Sequence, residues 1–199
     1  MQEFVIYDTE FTAWAGSKER QWSEPWEHRE IIQLAAVKVQ ILDNALKIIE
    51  SFNELVIPSI NPQLSDYISK LTGIEQNTLH NLGVDFPSVL KQFWQFCGNG
   101  QLPAFSWGDD AKILRENCQL TNTAFPSFAL GLFDIKERLQ QQNINFPNTY
   151  SGQLAASLGI QLNGKEHNAL HDVRSITAAL QYWIEHAGLQ LSRLLNSPH

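Results

Sequence analysis

Cysteine, basic charge and long apolar runs are all scarce in this 199-residue sequence. The two cysteines, Cys97 and Cys118, make neither a disulfide framework nor a CxxC pair for zinc or redox chemistry. Free thiols in a reducing compartment are the expectation. Lys and Arg number 14 against 21 Asp and Glu, a net charge of −7. That balance disfavours a protein that grips long nucleic acid by charge alone. No apolar run approaches the roughly 20 residues that span a bilayer. No basic segment precedes an apolar core at Met1–Asp8, so the expectation is a cytoplasmic protein with no membrane partner. What is present is an ordinary globular composition, 43% hydrophobic and 18% charged, which excludes a disordered chain.

Phe4–Asp8, Glu30–Gln40 and Leu46–Ile57 read as strands, the last two joined by turn chemistry at Asp43–Asn44. Pro62–Leu71 and Glu75–Asn81 read as short helices separated by Gly73. Phe86–Cys97 carries apolar residues at helical spacing and is stopped by Gly98. Leu102–Trp107 and Gly131–Ile135 are a fourth and a fifth strand. Helices are expected over Asp110–Leu120, to about Gln142, over Gly152–Leu158 and, longest of all, over Asn168–His186. Strands first, then strands alternating with helices, predict an α/β fold: a mixed five-stranded sheet flanked by helices. One domain over 1–188 and a short tail over 189–199 are expected, with Ala15–Arg29 as a polar insertion carrying Trp22 and Trp26, either a surface loop or a flap near the site.

Three constellations carry chemistry. The first strand ends in Asp8-Thr9-Glu10. Residues two apart on a strand share a face at roughly 7 Å, so both carboxylates point the same way and repel unless a cation lies between them. A hard divalent ion with oxygen ligands answers that need. The second constellation is His167-Asn168-Ala169-Leu170-His171-Asp172, opening the longest helix. Asp172 lies among Leu170, Val173, Ile176 and Ala179, where a carboxylate wants a partner. His167 and His171 also have the spacing of a helical zinc pair, without the glutamate after the first histidine or an evident third ligand. The third is Ser106-Trp107-Gly108-Asp109-Asp110, where the two aspartates read as helix cap and first turn, leaving one free to join a cluster.

Taken in order, Asp-x-Glu, then Asp, then His-x4-Asp resembles the DEDDh 3′→5′ exonucleases of the ribonuclease H-like superfamily. The similarity is greatest to the Eri-type, histone-mRNA exonuclease branch. It runs through Val5–Glu10, Phe52–Pro58, Asn61–Tyr67, Lys70–Ile74, Ser106–Asp109 and the His167 block, nearly the whole chain. The resemblance implies a ribonuclease H-like sheet on which Asp8, Glu10, Asp109 and Asp172 hold two divalent ions, Mg²⁺ or Mn²⁺. His167 is then the general base of a two-metal phosphodiester hydrolysis that releases 5′-nucleoside monophosphates. Asp109 rather than Asp110 follows from analogy with Eri-type spacing to Cys118. The resemblance further implies that Phe11 and Thr12 meet the terminal sugar and that Leu71, Thr72, Gly73 and Ile74 wedge the last bases. Trp14 and Trp107 are candidate stacking platforms for bases. The implied partner is a single-stranded 3′ end, RNA before DNA. A DNA-directed proofreading or repair exonuclease, a silent nucleic-acid-binding module and a zinc hydrolase on His167 and His171 are the alternatives.

Overall fold

A computed structural model describes residues 2–195. Strands β1 (Gln2–Phe11), β2 (Ile31–Leu42) and β3 (Ala45–Ile57) form an antiparallel meander. Asp43 and Asn44 make the β2–β3 turn, with φ of 48° and 67°, the left-handed pair that matches the twist of a tight hairpin. Helices α1 (Asp66–Thr72) and α2 (Gln76–Leu82) follow. Then come β4 (Val84–Asp85), α3 (Phe86–Phe96), β5 (Ala104–Ser106), α4 (Asp110–Leu120), β6 (Leu132–Asp134) and α5 (Ile135–Gln141). A 3₁₀ turn at Ser151–Gln153 leads into α6 (Leu154–Ser157), the long α7 (Ala169–His186) and α8 (Leu191–Leu195).

The sheet order is β4-β3-β2-β1-β5-β6, with β5 parallel to β1, β6 parallel to β5, and β4 parallel to β3. The mixed sheet flanked by helices is as expected, but it has six strands instead of five. The extra strand, β4, is two residues long and lies between Gly83 and a helix with Pro in its first turn. Two residues are too few to show alternation. The expected helix over Pro62–Leu71 begins at Asp66, where the Ser65 side chain accepts from Ile68 N as an N-cap. Leu189, Leu194 and Leu195 are buried in the same cluster as α7. The end of the expected tail beyond Leu195 lies outside the described residues.

The alternation of β1 sorts the core. Phe4 and Ile6 face a cluster built with α5 and α7, whereas Val5 and Tyr7 face one built with α3 and α4. In the first cluster Trp183 of α7 stacks on Trp107, with centroids 5.9 Å apart and planes at 17°. A third, smaller cluster of Ala13, Ile32, Leu64, Ile68, Ile74 and Leu79 seats α1 and α2. Both cysteines are buried free thiols. No helix among the described residues is long and apolar enough to cross a membrane.

Asn117 fastens the start of β2 to α4. Its carbonyl oxygen accepts from Ile31 N at 2.9 Å, and its amide donates to Arg29 O at 2.8 Å and Ile113 O at 2.9 Å. Asn117→Ala leaves buried backbone groups without partners, so it is expected to cost about 1–3 kcal/mol in urea unfolding with an unchanged m value. An unshifted midpoint would show that other groups satisfy that backbone.

Candidate active site

The parity of β1 continues past its apolar core. Asp8 and Glu10 follow Phe4 and Ile6 onto the face of the sheet covered by α7, and Thr9 follows Tyr7 onto the face covered by α4. Asp172, in the first turn of α7, meets the β1 pair. Asp8, Glu10 and Asp172 each offer a carboxylate oxygen, and those atoms lie within 4.8 Å of one another. The three are only 6%, 8% and 2% exposed.

Several contacts hold α7 in place for this. Gln33 on β2 pairs across from Glu10. Its side-chain oxygen accepts from Ala169 N at 3.1 Å, and its amide donates to Asn53 Oδ1 at 2.8 Å. Asn168 caps the helix by accepting from His171 N. Ser151 Oγ donates to Asp172 Oδ2 at 3.0 Å. A Cβ on Gly152 would lie 2.5 Å from Asp172 Oδ1, so only glycine lets the 3₁₀ turn approach that carboxylate so closely.

This arrangement is costly without a cation. Burial, followed by repulsion from neighbouring carboxylates, pushes Asp8 well above the usual carboxylate range and Glu10 up to about 8. Burial, opposed by the Ser151 hydrogen bond, pushes Asp172 up to about 6. Asp172 Oδ1 is buried with no hydrogen-bond partner. An all-oxygen donor set with an orphaned anionic oxygen suits hard divalent ions of the Mg²⁺ or Mn²⁺ kind.

The fourth carboxylate differs from the expectation. Asp109 is the N-cap residue of α4 but makes no capping hydrogen bond. Its side chain is 74% exposed and lies 4.0 Å from Lys112. The structure instead places Asp110 in the pocket with Asp8, Glu10, Asp172 and His167. Asp110 Oδ1 accepts from Thr9 N at 3.1 Å and Thr9 Oγ1 at 2.5 Å. Burial raises Asp110 to about 6, against the lowering effect of the Thr9 bonds. A signal for this was present in the sequence. Asp110 is three, four and seven residues before the buried Ile113, Leu114 and Asn117, on one helical face, and Asp109 is one step off it.

His167 lines the same pocket. It precedes α7 in a left-handed conformation, φ 59°, which costs energy in a non-glycine residue. The Tyr150 ring packs edge-on against it at 5.4 Å. Burial lowers the imidazole below its ordinary pKa, partly offset by Glu166. His171 takes no part in the pocket. Its Nε2 lies 3.3 Å from Gly152 O, and the described residues provide no metal-ligating trio that includes it. Among the described residues the zinc pair suggested by its spacing finds no third ligand.

The expected substrate contacts divide. Phe11 and Leu71 line the pocket, joined by Trp22 of the Ala15–Arg29 insertion and by Tyr67, which the sequence did not single out for it. Thr12 is buried, donating to His28 O and accepting from Glu30 N. Thr72 and Ile74 are buried under the α1–α2 corner, where Gly73 is the left-handed helix cap. Trp14 packs against Trp26 rather than lining the pocket. Trp107 also lines the pocket, but it is 6% exposed, stacked on Trp183 and bonded to Thr149 O, so little of its ring is free to take a base.

The exonuclease (RNase T) family profile matches residues 5–180. Rat (Rattus norvegicus) 3′-5′ exoribonuclease 1 is 29% identical over 157 residues, covering 74% of this chain and 44% of its own. Drosophila melanogaster 3′-5′ exonuclease Snipper is 24% identical over 196 residues, covering 88% of this chain and 67% of its own. The chain therefore spans less than half the length of the rat relative. The nuclease domain of 3′hExo, described as a DEDDh family member bound to rAMP, superposes with a TM-score of 0.77 at 25% identity. That match covers 100% of this chain and 98% of that one. A 3′-exonuclease described as recognising the 3′ end of the histone mRNA stem-loop also gives 0.77 at 25% identity, covering 95% of this chain and 66% of its own. The sheet and its flanking helices are thus the ribonuclease H-like fold. With 5–180 matched and the buried acids at the end of β1 facing α7, the chain belongs to the DEDDh 3′→5′ exonuclease family.

Proposed function

We propose that the protein removes nucleotides one at a time from the 3′ end of single-stranded nucleic acid, RNA in preference to DNA, and releases 5′-nucleoside monophosphates. The observation that carries it is the buried trio of Asp8, Glu10 and Asp172 in one pocket with Asp110 and His167. The names of the relatives, exoribonucleases among them, and the bound rAMP of the similar nuclease domain support RNA.

Asp8, Glu10, Asp110 and Asp172 would hold two divalent ions, Mg²⁺ or Mn²⁺. Such ions, when bound, stabilise charge on the attacking and leaving oxygens of a phosphoryl displacement. His167 takes the proton of the attacking water at a ring nitrogen. Its lowered pKa keeps it neutral, and so able to accept that proton, near neutral pH. The water oxygen bonds to phosphorus, and the bond from phosphorus to the preceding nucleotide's 3′ oxygen breaks. Phe11, Tyr67 and Leu71 give the pocket an apolar wall on which the terminal base rests. Thr9 anchors Asp110 through two hydrogen bonds, which spares the carboxylate from reorienting when substrate enters.

Three outcomes test this. A 5′-labelled RNA should shorten from its 3′ end in Mg²⁺ or Mn²⁺, faster than the matched DNA. Release of the 5′ label as a mononucleotide at the earliest times would reverse the polarity. Asp110→Asn should lower kcat by more than the roughly 10–100-fold that loss of an outer-shell partner of a metal site costs, and Asp109→Asn by less than about twofold. The opposite ranking would return the role to Asp109.

The third outcome concerns metal removal. Glu10 at about 8 and Asp172 at about 6 lie above carboxylates of an unfolded chain, whose pKa is near 4. The folded state then binds more protons than the unfolded state between those values, so stability in chelator falls as pH rises from about 4 to 8. Mn²⁺ should raise Tm more at pH 8 than at pH 5, and Asp172→Asn should raise Tm in EDTA while shrinking the Mn²⁺ response. A Tm in EDTA that rises across this range would contradict the buried cluster.

A further inference from the structure

The pocket is lined by unlike groups, among them the apolar side chains of Phe11, Tyr67 and Leu71. Lys18 and Tyr150 line both this pocket and a second cavity of about 360 Å³, completed by Lys136, Asn148, Thr149 and Gln153. The second cavity therefore adjoins the site at these two shared residues.

Its two ammonium groups are held in place. Lys18 Nζ donates to the Tyr150 hydroxyl at 2.6 Å and lies 4.4 Å from the centroid of that ring. Lys136 Nζ lies 5.1 Å from the centroid of the Trp107 ring. Neither has a carboxylate at ion-pair distance among the described residues, in contrast to Lys38 with Glu50 and Lys112 with Asp109. Lys165, near the opposite wall, donates instead to Lys70 O. Two acids stand near and keep their charge: Glu166, which accepts from Gln153, and Asp134, which accepts from Gly108 N and Lys136 N and feels the Lys136 ammonium.

In a chain of net charge −7, two such lysines beside neutral amide and hydroxyl groups make a local anion site. We infer that the groove of Lys18, Lys136, Asn148, Thr149, Tyr150 and Gln153 binds backbone phosphates of the strand upstream of the scissile bond. The inference rests on the exonuclease reading above and adds to it the path of the substrate. The terminal nucleotide rests on the apolar wall, the scissile phosphate lies at the acids, and the preceding phosphates run past Lys18 toward Lys136. A dinucleotide has only the scissile phosphate and leaves the groove empty, so longer strands gain from it.

The test uses the full chain and two probes, the dinucleotide UpU and 5′-fluorescein-labelled octauridylate. In Mg²⁺, the octamer-to-dimer ratio of kcat/KM should fall about fivefold to tenfold in Lys18→Gln/Lys136→Gln. Octamer binding, followed by anisotropy in Ca²⁺, should lose about 1.4 from the slope of log K against log [KCl], at roughly 0.7 per phosphate contact on a single strand. Lys18→Arg/Lys136→Arg should retain the slope, and Lys91→Gln, on α3, should leave it unaltered. A double Gln variant with the wild-type length ratio and slope overturns the groove, as does an equal loss in Lys91→Gln, which would indicate diffuse charge alone. Lys136→Gln alone, expected to lose about half the slope change, decides the matter if the double variant melts early. No nucleotide release by the wild type from either probe would remove the exonuclease reading, and the binding arm would still decide the groove.

Discussion

Burying like charges at the end of a strand is the constraint around which the rest of this molecule is arranged. Asp8, Glu10 and Asp172 bring carboxylate oxygens within 4.8 Å of one another and are almost out of water, where each disfavours ionisation of the others. Such an arrangement persists only if the surrounding fold over-determines it. Here the fold does so from two directions. β1 is the centre of the sheet, paired on both sides by β2 and β5. α7, the longest helix, is pinned at its start by Gln33 and along its length by the Trp107–Trp183 stack. The cost of the charge cluster in the absence of cations is the source of its affinity for them.

The divided placement of the acids follows from the same strand. Asp8 and Glu10 go to one face of the sheet and Thr9 to the other, so the cluster receives Asp172 from the helix on one side and Asp110 from the helix on the other. Two layers of helices therefore converge on the end of one strand. Between them, the pocket gathers apolar side chains, acids, an imidazole and Lys18, and the adjoining cavity adds Lys136.

Much of this was legible in the residues. Alternation put Asp8 and Glu10 on one face, and a carboxylate among apolar helical neighbours marked Asp172. The order of strands and helices indicated the mixed sheet. The choice between Asp109 and Asp110 failed because it followed a family spacing, when the period of the buried residues of α4 pointed to Asp110. The tryptophans were only partly legible, for a different reason. An indole suits a base or a core equally well, and only tertiary packing shows that Trp107, stacked on Trp183, and Trp22 both line the pocket while Trp14 packs on Trp26 outside it. Residues such as Lys18 and Tyr150 are 132 positions apart, and nothing local in either segment foretells their meeting.

The irregularity that ends the β1–β2 ladder has its own consequence. Pairing runs without interruption from Gln2 to Glu10 and shifts register only between Glu10 and Phe11. Asp8 and Glu10 are therefore counted off before the shift, and the long connection from Thr12 to Glu30 begins after it. The polypeptide beyond Glu10 can vary in length without changing which way Asp8 and Glu10 point, while a single residue gained or lost inside β1 would invert them all. Diversity in such a chain is thus channelled into the connection, where the walls of the cleft are built, and kept out of the strand that sets its chemistry.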